Sequence, residues 1–145
     1  MVLAAGLGTR LKPITFAVPK PMVPVIDRPV MAHLLALLER HGFHDAVANL
    51  HYFPDTIRDY FGDGSGFGVN LTYNYEPELL GTAGGVRAVS EFLSGDGSEP
   101  FIIISGDALT DIDLSALVDR HRSAGGVATL TVKRVDDTRE YGVVL

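Results

Sequence analysis

Short apolar runs alternate with stretches of helical spacing along almost the whole chain, and this alternation restricts it to an α/β architecture. Val2-Leu3-Ala4-Ala5 is a short buried run closed by Gly6. Val30–His41 (VMAHLLALLERH) is apolar on most sides and stops at Gly42, which suits the left-handed turn that ends a helix. It predicts a helix buried between layers. Asp45–Leu50 reads as a strand. Pro54–Phe61 reads as a helix with Ile57, Tyr60 and Phe61 on one face, Pro54 in its first turn and Gly62 as its stop. Asn70–Tyr75 is again a strand, and Thr82–Leu93 a helix built on Ala83, Val86, Val89 and Leu93. Phe101-Ile102-Ile103-Ile104 is apolar throughout, as expected of a central parallel strand covered on both faces. Leu114, Leu117, Val118 and His121 mark a last helix, Leu114–Arg122, and Val127–Lys133 a further strand. The order βαβαβαβαβ predicts an open, mostly parallel sheet with helices on both faces.

One segment departs from the alternation. Leu11–Pro29 carries Pro13, Pro19, Pro21, Pro24 and Pro29, which rules out a regular helix and predicts an extended, stiff loop. The 145 residues suffice for one domain with a real core. Twelve Lys and Arg against eighteen Asp and Glu leave a net charge of −6, which argues against a nucleic-acid partner but not against a small anion. The chain has no cysteine, which excludes disulfides, thiol nucleophiles and thiolate metal sites. No apolar run is long enough to span a bilayer, and Met1–Ala5 lacks the basic start of a secretion signal, so the expected place is the cytoplasm, away from membranes. Both ends read as cut: Met1 stands almost inside a strand, and Tyr141-Gly142-Val143-Val144-Leu145 stops within another pattern, the alternative being a complete edge strand at Val143–Leu145. His33, His41, His44, His51 and His121 have no metal-ligand spacing. His33 and His121 share faces with leucines and read as packed residues.

Two strand ends carry the chemistry. After the first, Gly6-Leu7-Gly8-Thr9-Arg10 offers glycines that let backbone N–H groups approach an anion, a hydroxyl, and a planar cation suited to phosphate oxygens. A dinucleotide fold would need a third glycine and a helix, but Leu11 and Pro13 stand there instead, and the Walker spacing is also absent. An ordinary tight turn remains the alternative. Lys20 lies between Pro19 and Pro21, which restricts its backbone and suits a lysine aimed at a triphosphate; the bland reading is a solvated loop lysine.

Together, Gly6-Leu7-Gly8-Thr9-Arg10-Leu11, Pro13, Thr15, Pro19-Lys20-Pro21 and Pro24-Val25 closely resemble the signature of sugar-1-phosphate nucleotidyltransferases. These include mannose-1-phosphate guanylyltransferases and glucose-1-phosphate thymidylyl- and uridylyltransferases. The resemblance runs over essentially the whole chain. It implies a Rossmann-like fold of the nucleotide-diphospho-sugar transferase type, with residues 1–145 as the N-terminal, nucleotide-binding part of the catalytic domain. It implies that Leu3, Ala4, Ala5, Gly6, Gly8, Thr9 and Arg10 bind the nucleotide, the Gly6–Arg10 loop wrapping its phosphates, that Arg10 neutralises departing pyrophosphate, and that Lys20 contacts the reacting phosphates.

The second strand end, Ser105-Gly106-Asp107, puts a carboxylate where Mg²⁺ could offset repulsion between two phosphates, and the resemblance makes Asp107 the metal ligand. Asp111 and Asp113 are weaker candidates, Asp113 being most simply the N-cap of the helix that follows. Asp111-Ile112-Asp113 also fits the D-x-D of a metal-dependent glycosyltransferase, against which Arg10 and Lys20 argue. Ser105 reads as a strand-end residue.

By the same resemblance, Tyr75–Gly84 lines the nucleobase, with Glu76 reading it and Gly81 and Thr82 opening the helix start. A carboxylate accepting two hydrogen bonds matches the N1–H and N2–H of guanine, so GTP is favoured, with mannose 1-phosphate as co-substrate. UTP or dTTP with glucose 1-phosphate is the alternative. Tyr141-Gly142-Val143 resembles the strand that touches the sugar, through Gly142. The family's later sugar-gripping and metal residues have no counterpart in this sequence. A nucleotide-binding or regulatory module without turnover is therefore the rival from another class. The sequence leaves a homo-oligomer open.

Overall fold

Ala46, Val47, Ala48, Asn49 and Leu50 are buried one after another, although alternate side chains of a strand point to opposite faces. The sheet they belong to is therefore covered on both sides. This computed structural model describes residues 1–95, 97, 99–136 and 139. By its internal contacts the chain divides into two units, Met1–Ile112 and Asp113–Leu145.

The first unit runs β1 (Val2–Leu3), β2 (Pro24–Val25), β3 (Arg28–Pro29), α1 (Val30–Arg40), β4 (Asp45–Leu50), α2 (Pro54–Phe61), β5 (Asn70–Tyr75), α3 (Gly81–Ala88), α4 (Ser90–Ser94) and β6 (Ile104–Ser105). Its sheet has the order β5-β4-β1-β6. Every pairing is parallel: Val2 lies opposite Ala48 and Ile104, Leu3 opposite Asn49 and Ser105, and β4 matches β5 from Asp45↔Asn70 to Leu50↔Tyr75. Strand order reverses at β1, the position where open sheets place ligands beyond their carboxyl ends.

α1 forms where straight-chain and leucine residues follow Pro29, and it buries Met31, Leu34, Leu35, Leu37 and Leu38 as its all-round apolar pattern requires. It is closed by Gly42 at φ 79°, whose N–H donates to the Glu39 carbonyl over 2.9 Å. α2 seats Ile57 and Phe61 in the core. Met1, Val47 and Val89 form a further buried cluster, joined by Leu3, Val86 and Leu93.

Four sequence expectations need correction. Thr82–Leu93 is not one helix: it breaks at Val89 (φ −114°, ψ 20°), and the break lets Val86, Val89 and Leu93 all reach that cluster. Phe101–Ile104 is not a central strand. Only Ile104–Ser105 has strand geometry, and among the described residues it lies at an edge of the sheet, where Phe101 and Ile103 are half exposed. The Met1 amine, donating to the Ile102 carbonyl over 2.7 Å, extends the contact by one step. Burial of this amine pushes its pKa down to about 6. Leu11–Pro29 is stiff but not extended. It folds as successive 3-10 turns at Ile14–Phe16 and Lys20–Met22 and then as the antiparallel pair β2–β3, because proline's fixed φ serves tight turns as well as extended chain.

The fourth correction falls in the second unit. Val127–Lys133 pairs with no strand among the described residues, and Val127, Leu130 and Val132 stand exposed; apolar β-formers make a strand only where a ladder partner exists. The helix of this unit, α5 (Leu114–Ala124), is capped by Asp113, whose carboxylate accepts the Ala116 N–H over 2.9 Å, as expected. His121 bonds through Nδ1 to the Thr129 hydroxyl over 3.0 Å. Gly142 and Val143–Leu145 lie outside the described residues. Among those described, no helix is long and apolar enough to cross a membrane.

Candidate active site

The loop leaving β1 is shaped by one glycine and one buried threonine. Gly8 sits at φ 64°, and a Cβ there would come within 2.8 Å of Thr15 Cγ2 and 3.3 Å of Lys20 Cβ. Both the conformation and the space demand glycine. Thr15 is fully buried, and its hydroxyl donates to the Gly8 carbonyl over 2.8 Å. Its own carbonyl accepts the Tyr52 hydroxyl over 2.9 Å. The loop is thus braced from behind, and the 3-10 turn Thr9–Leu11 carries Arg10 forward from it. Arg10 makes no ion pair with any described residue.

Lys20 opens the 3-10 turn Lys20–Met22 behind a fully buried Pro19. Its ammonium pairs with the Asp107 carboxylate just beyond β6. Each side chain is 29% exposed, so solvent screens the pair, and breaking it costs about 1 kcal/mol or less. A phosphate can compete for that lysine.

These groups meet in one cleft of about 370 Å³ at the carboxyl ends of the parallel strands, lined by Leu3, Ala4, Ala5, Gly6, Arg10, Lys20, Pro21, Asn49, Glu76, Leu79, Gly81, Thr82, Ser105 and Asp107. The two cations and the carboxylate singled out in the sequence therefore converge on one rim. Gly8 and Thr9 do not line it: Gly8 faces Thr15 and Lys20, and Thr9 opens the exposed turn. Asn49 and Ser105 do, although no sequence motif marks the first and the second reads only as a strand-end residue. Asn49 had a visible signal, being the one uncharged polar residue in the run DAVANL.

Glu76 differs most from expectation. It is 1% exposed, and every polar group on it has a protein partner. Oε1 accepts from Asn49 Nδ2 over 2.8 Å, and Oε2 accepts from the Leu80 N–H over 3.1 Å. Its N–H donates to the Leu50 carbonyl, and its carbonyl accepts from His51 Nδ1 over 2.8 Å. A carboxylate offered freely to the two donors of guanine is not what the chain presents. Leu79, Gly81 and Thr82 of this segment line the cleft beside Glu76.

Among the described residues no set of three or more His, Asp or Glu could hold a metal ion, and Asp107 is the one carboxylate whose side chain is open at this rim. That donor set fits Mg²⁺ in the mode it usually takes with nucleotides, one or two carboxylates with the rest from phosphate and water. Asp111 does not line the cleft.

Comparison with known proteins bears on the chemistry. The family model described as nucleotidyl transferase matches residues 1–145. A UTP–glucose-1-phosphate uridylyltransferase of Synechocystis sp. is 41% identical over 100% of this chain and 40% of its own length. A mannose-1-phosphate guanylyltransferase of Mycobacterium tuberculosis is 38% identical over 99% of this chain and 39% of its own. Among solved structures, HddC from Yersinia pseudotuberculosis complexed with GMP-PN superposes with a TM-score of 0.72 at 30% identity, covering 83% of this chain and 52% of that one. The chain thus spans about 40% of the length of the curated relatives it matches.

Proposed function

The chain belongs to the nucleotidyl transferase family, and from that premise we propose that it binds an NTP and transfers its nucleotidyl group to a sugar 1-phosphate, releasing pyrophosphate. The observation that carries this reading is the meeting of Arg10, Lys20 and Asp107 in one cleft beyond the carboxyl ends of β1, β4 and β6.

The reaction needs no protein nucleophile. A phosphate oxygen of the sugar 1-phosphate attacks the α-phosphorus in line, the new P–O bond forms as the bond to the bridging β-phosphate oxygen breaks, and that electron pair leaves with pyrophosphate. The protein's part is to position and to stabilise charge. The braced loop from Ala4 to Gly6 borders the triphosphate. Arg10, with no carboxylate partner among the described residues, meets the charge growing on the leaving pyrophosphate. Lys20 exchanges its screened pairing with Asp107 for the reacting phosphates. Mg²⁺, when bound, would be held by Asp107 with substrate oxygens and would supply charge neutralisation between the two phosphates.

For the substrates we take GTP and mannose 1-phosphate, supported by the guanylyltransferase relative and by the neighbour complexed with GMP-PN. UTP with glucose 1-phosphate is the second reading, favoured by the 41% identity to a uridylyltransferase. Pyrophosphate release measured over a panel of GTP, UTP and dTTP with each sugar phosphate decides between them. Preference for GTP supports the first; preference for UTP supports the second. NTP binding without pyrophosphate release from any pair would mean a binding module, and no NTP binding at all would end the proposal.

A further inference from the structure

At the wall of the cleft, a chain of hydrogen bonds through Asn49 and Glu76 joins the two loops that line it. The Ala4 N–H, at the start of the glycine loop, donates to Asn49 Oδ1 over 2.8 Å. Asn49 Nδ2 donates to Glu76 Oε1 over 2.8 Å, and Glu76 Oε2 accepts the Leu80 N–H over 3.1 Å, one residue before Gly81. Asn49 and Glu76 are 3% and 1% exposed, so both bonds of Asn49 are closed to water, and only the Leu80 end of the chain is partly open. A third element closes on the same pair. A Cβ on Gly85 of α3 would come within 2.8 Å of both Asn49 Nδ2 and Glu76 Oε1, so the helix rests directly on their bond. Burying a carboxylate is costly, and a pair of aliphatic side chains would fill the space more cheaply if filling were all the site required. An amide and a carboxylate are needed where one acceptor must face Ala4 and another must face Leu80.

We propose that Asn49 and Glu76 are a positioning pair that holds the Ala4–Gly6 loop and the Leu80–Thr82 loop at a set separation, so that they grip the nucleotide together, and that Glu76 does not read the base. The proposal rests on the nucleotide reading above and assigns within it a role that touches neither substrate. Orientation decides the chemistry. Asn49 gives its oxygen to one N–H and its NH₂ to the carboxylate, and the carboxylate spends its second oxygen on another N–H. The whole chain therefore works equally well with the two side chains exchanged. Aspartate at 49 accepts from Ala4 and from a glutamine NH₂ at 76, whose oxygen accepts from Leu80.

The test is Asn49→Asp, Glu76→Gln and the double exchange, each made in the whole chain. Two quantities are read: exchange rates of the Ala4 and Leu80 amides in the free protein, and dissociation constants for GTP, UTP and dTTP. Asn49→Asp sets two acceptors against each other, and Glu76→Gln sets an NH₂ against an N–H. Each single change should speed exchange at both amides and weaken all three nucleotides by a similar factor, about tenfold or more. The double exchange should return both readouts to within about threefold of the parent. A Glu76→Gln protein that switches its preferred base while Ala4 keeps its protection would overturn the proposal, as would a double exchange no better than the worse single. If the parent binds none of the nucleotides, the functional reading fails, and the amide exchange still decides whether the two loops are held as one unit.

Discussion

Gly85→Ala should destabilise the protein, although alanine is the better helix former by about 1 kcal/mol. Gly85 lies inside α3 and is its buried residue. Ordinary contact begins near 3.4 Å, whereas the new methyl would stand 2.8 Å from Asn49 Nδ2 and from Glu76 Oε1, so each must yield by more than half an ångström. Neither is the loose end of a surface side chain. Moving Asn49 strains its bond to Ala4, and moving Glu76 strains its bond to Leu80. Overpacking of this kind costs about 1–3 kcal/mol, and a buried hydrogen bond lost in relieving it costs about 1–3 more. After subtraction of the helix gain, the net loss is roughly 3 kcal/mol and the fall in Tm about 6–12 °C. Urea unfolding followed by circular dichroism, with the slope m compared between the two proteins, measures it. An alanine variant as stable as the parent, with unchanged m, would refute the reasoning, because α3 would then be free to stand off from the pair.

Gly6→Ala is the contrasting case: nothing lies within 4 Å of its Cβ, so stability should change by less than about 1 kcal/mol while the methyl, standing in the cleft, weakens nucleotide binding, which calorimetry separates from unfolding. Arg10→Ala and Lys20→Ala should each lower pyrophosphate release by about 10²–10³-fold with circular dichroism unchanged; retained turnover in both would remove the proposed mechanism. Thr15→Val removes the hydroxyl that holds the Gly8 carbonyl and should cost about 1–3 kcal/mol in urea unfolding while raising the KM for NTP. Desolvation, with a smaller contribution from Asp63 and against the nearby Arg58, pushes the Tyr73 phenol up to about 12. The folded state thus keeps a proton that the unfolded chain loses near 10, so this stabilisation is present below pH 10 and fades as pH rises toward 12. Ultraviolet titration should show a late-ionising tyrosine that Tyr73→Phe abolishes.

Much of this fold was legible because its periods are clean. Asp45–Leu50, Pro54–Phe61 and Asn70–Tyr75 form the elements that their patterns predict, residue for residue. Phe101–Ile104 misled because an unbroken apolar run reports burial potential, not position within a sheet, and here the run stands at an edge with Phe101 half exposed. Val127–Lys133 misled similarly, since strand propensity is realised only in a ladder. At the site, Arg10, Lys20 and Asp107 were readable as charges that must go somewhere useful. Glu76 was readable as important but not in its role. Whether a carboxylate faces a ligand or the backbone depends on which donors the fold brings near, and Asn49 comes from a strand 27 residues earlier. No local pattern encodes that meeting.

The two-residue strand β1 has a consequence for assembly. Val2 is wedged between Ala48 and Ile104, so the opening residues of the chain have no ladder partner until segments about fifty and one hundred positions later exist. Such distant pairings are slow to close, since the intervening chain must be ordered first. Strand β1 is therefore among the last elements to settle, and the glycine loop hanging from it takes shape only then. A half-folded molecule would hold β4, α2 and β5 in place yet lack the cradle. Affinity for a triphosphate should accordingly appear in a single late step of refolding, and not grow gradually with helix content.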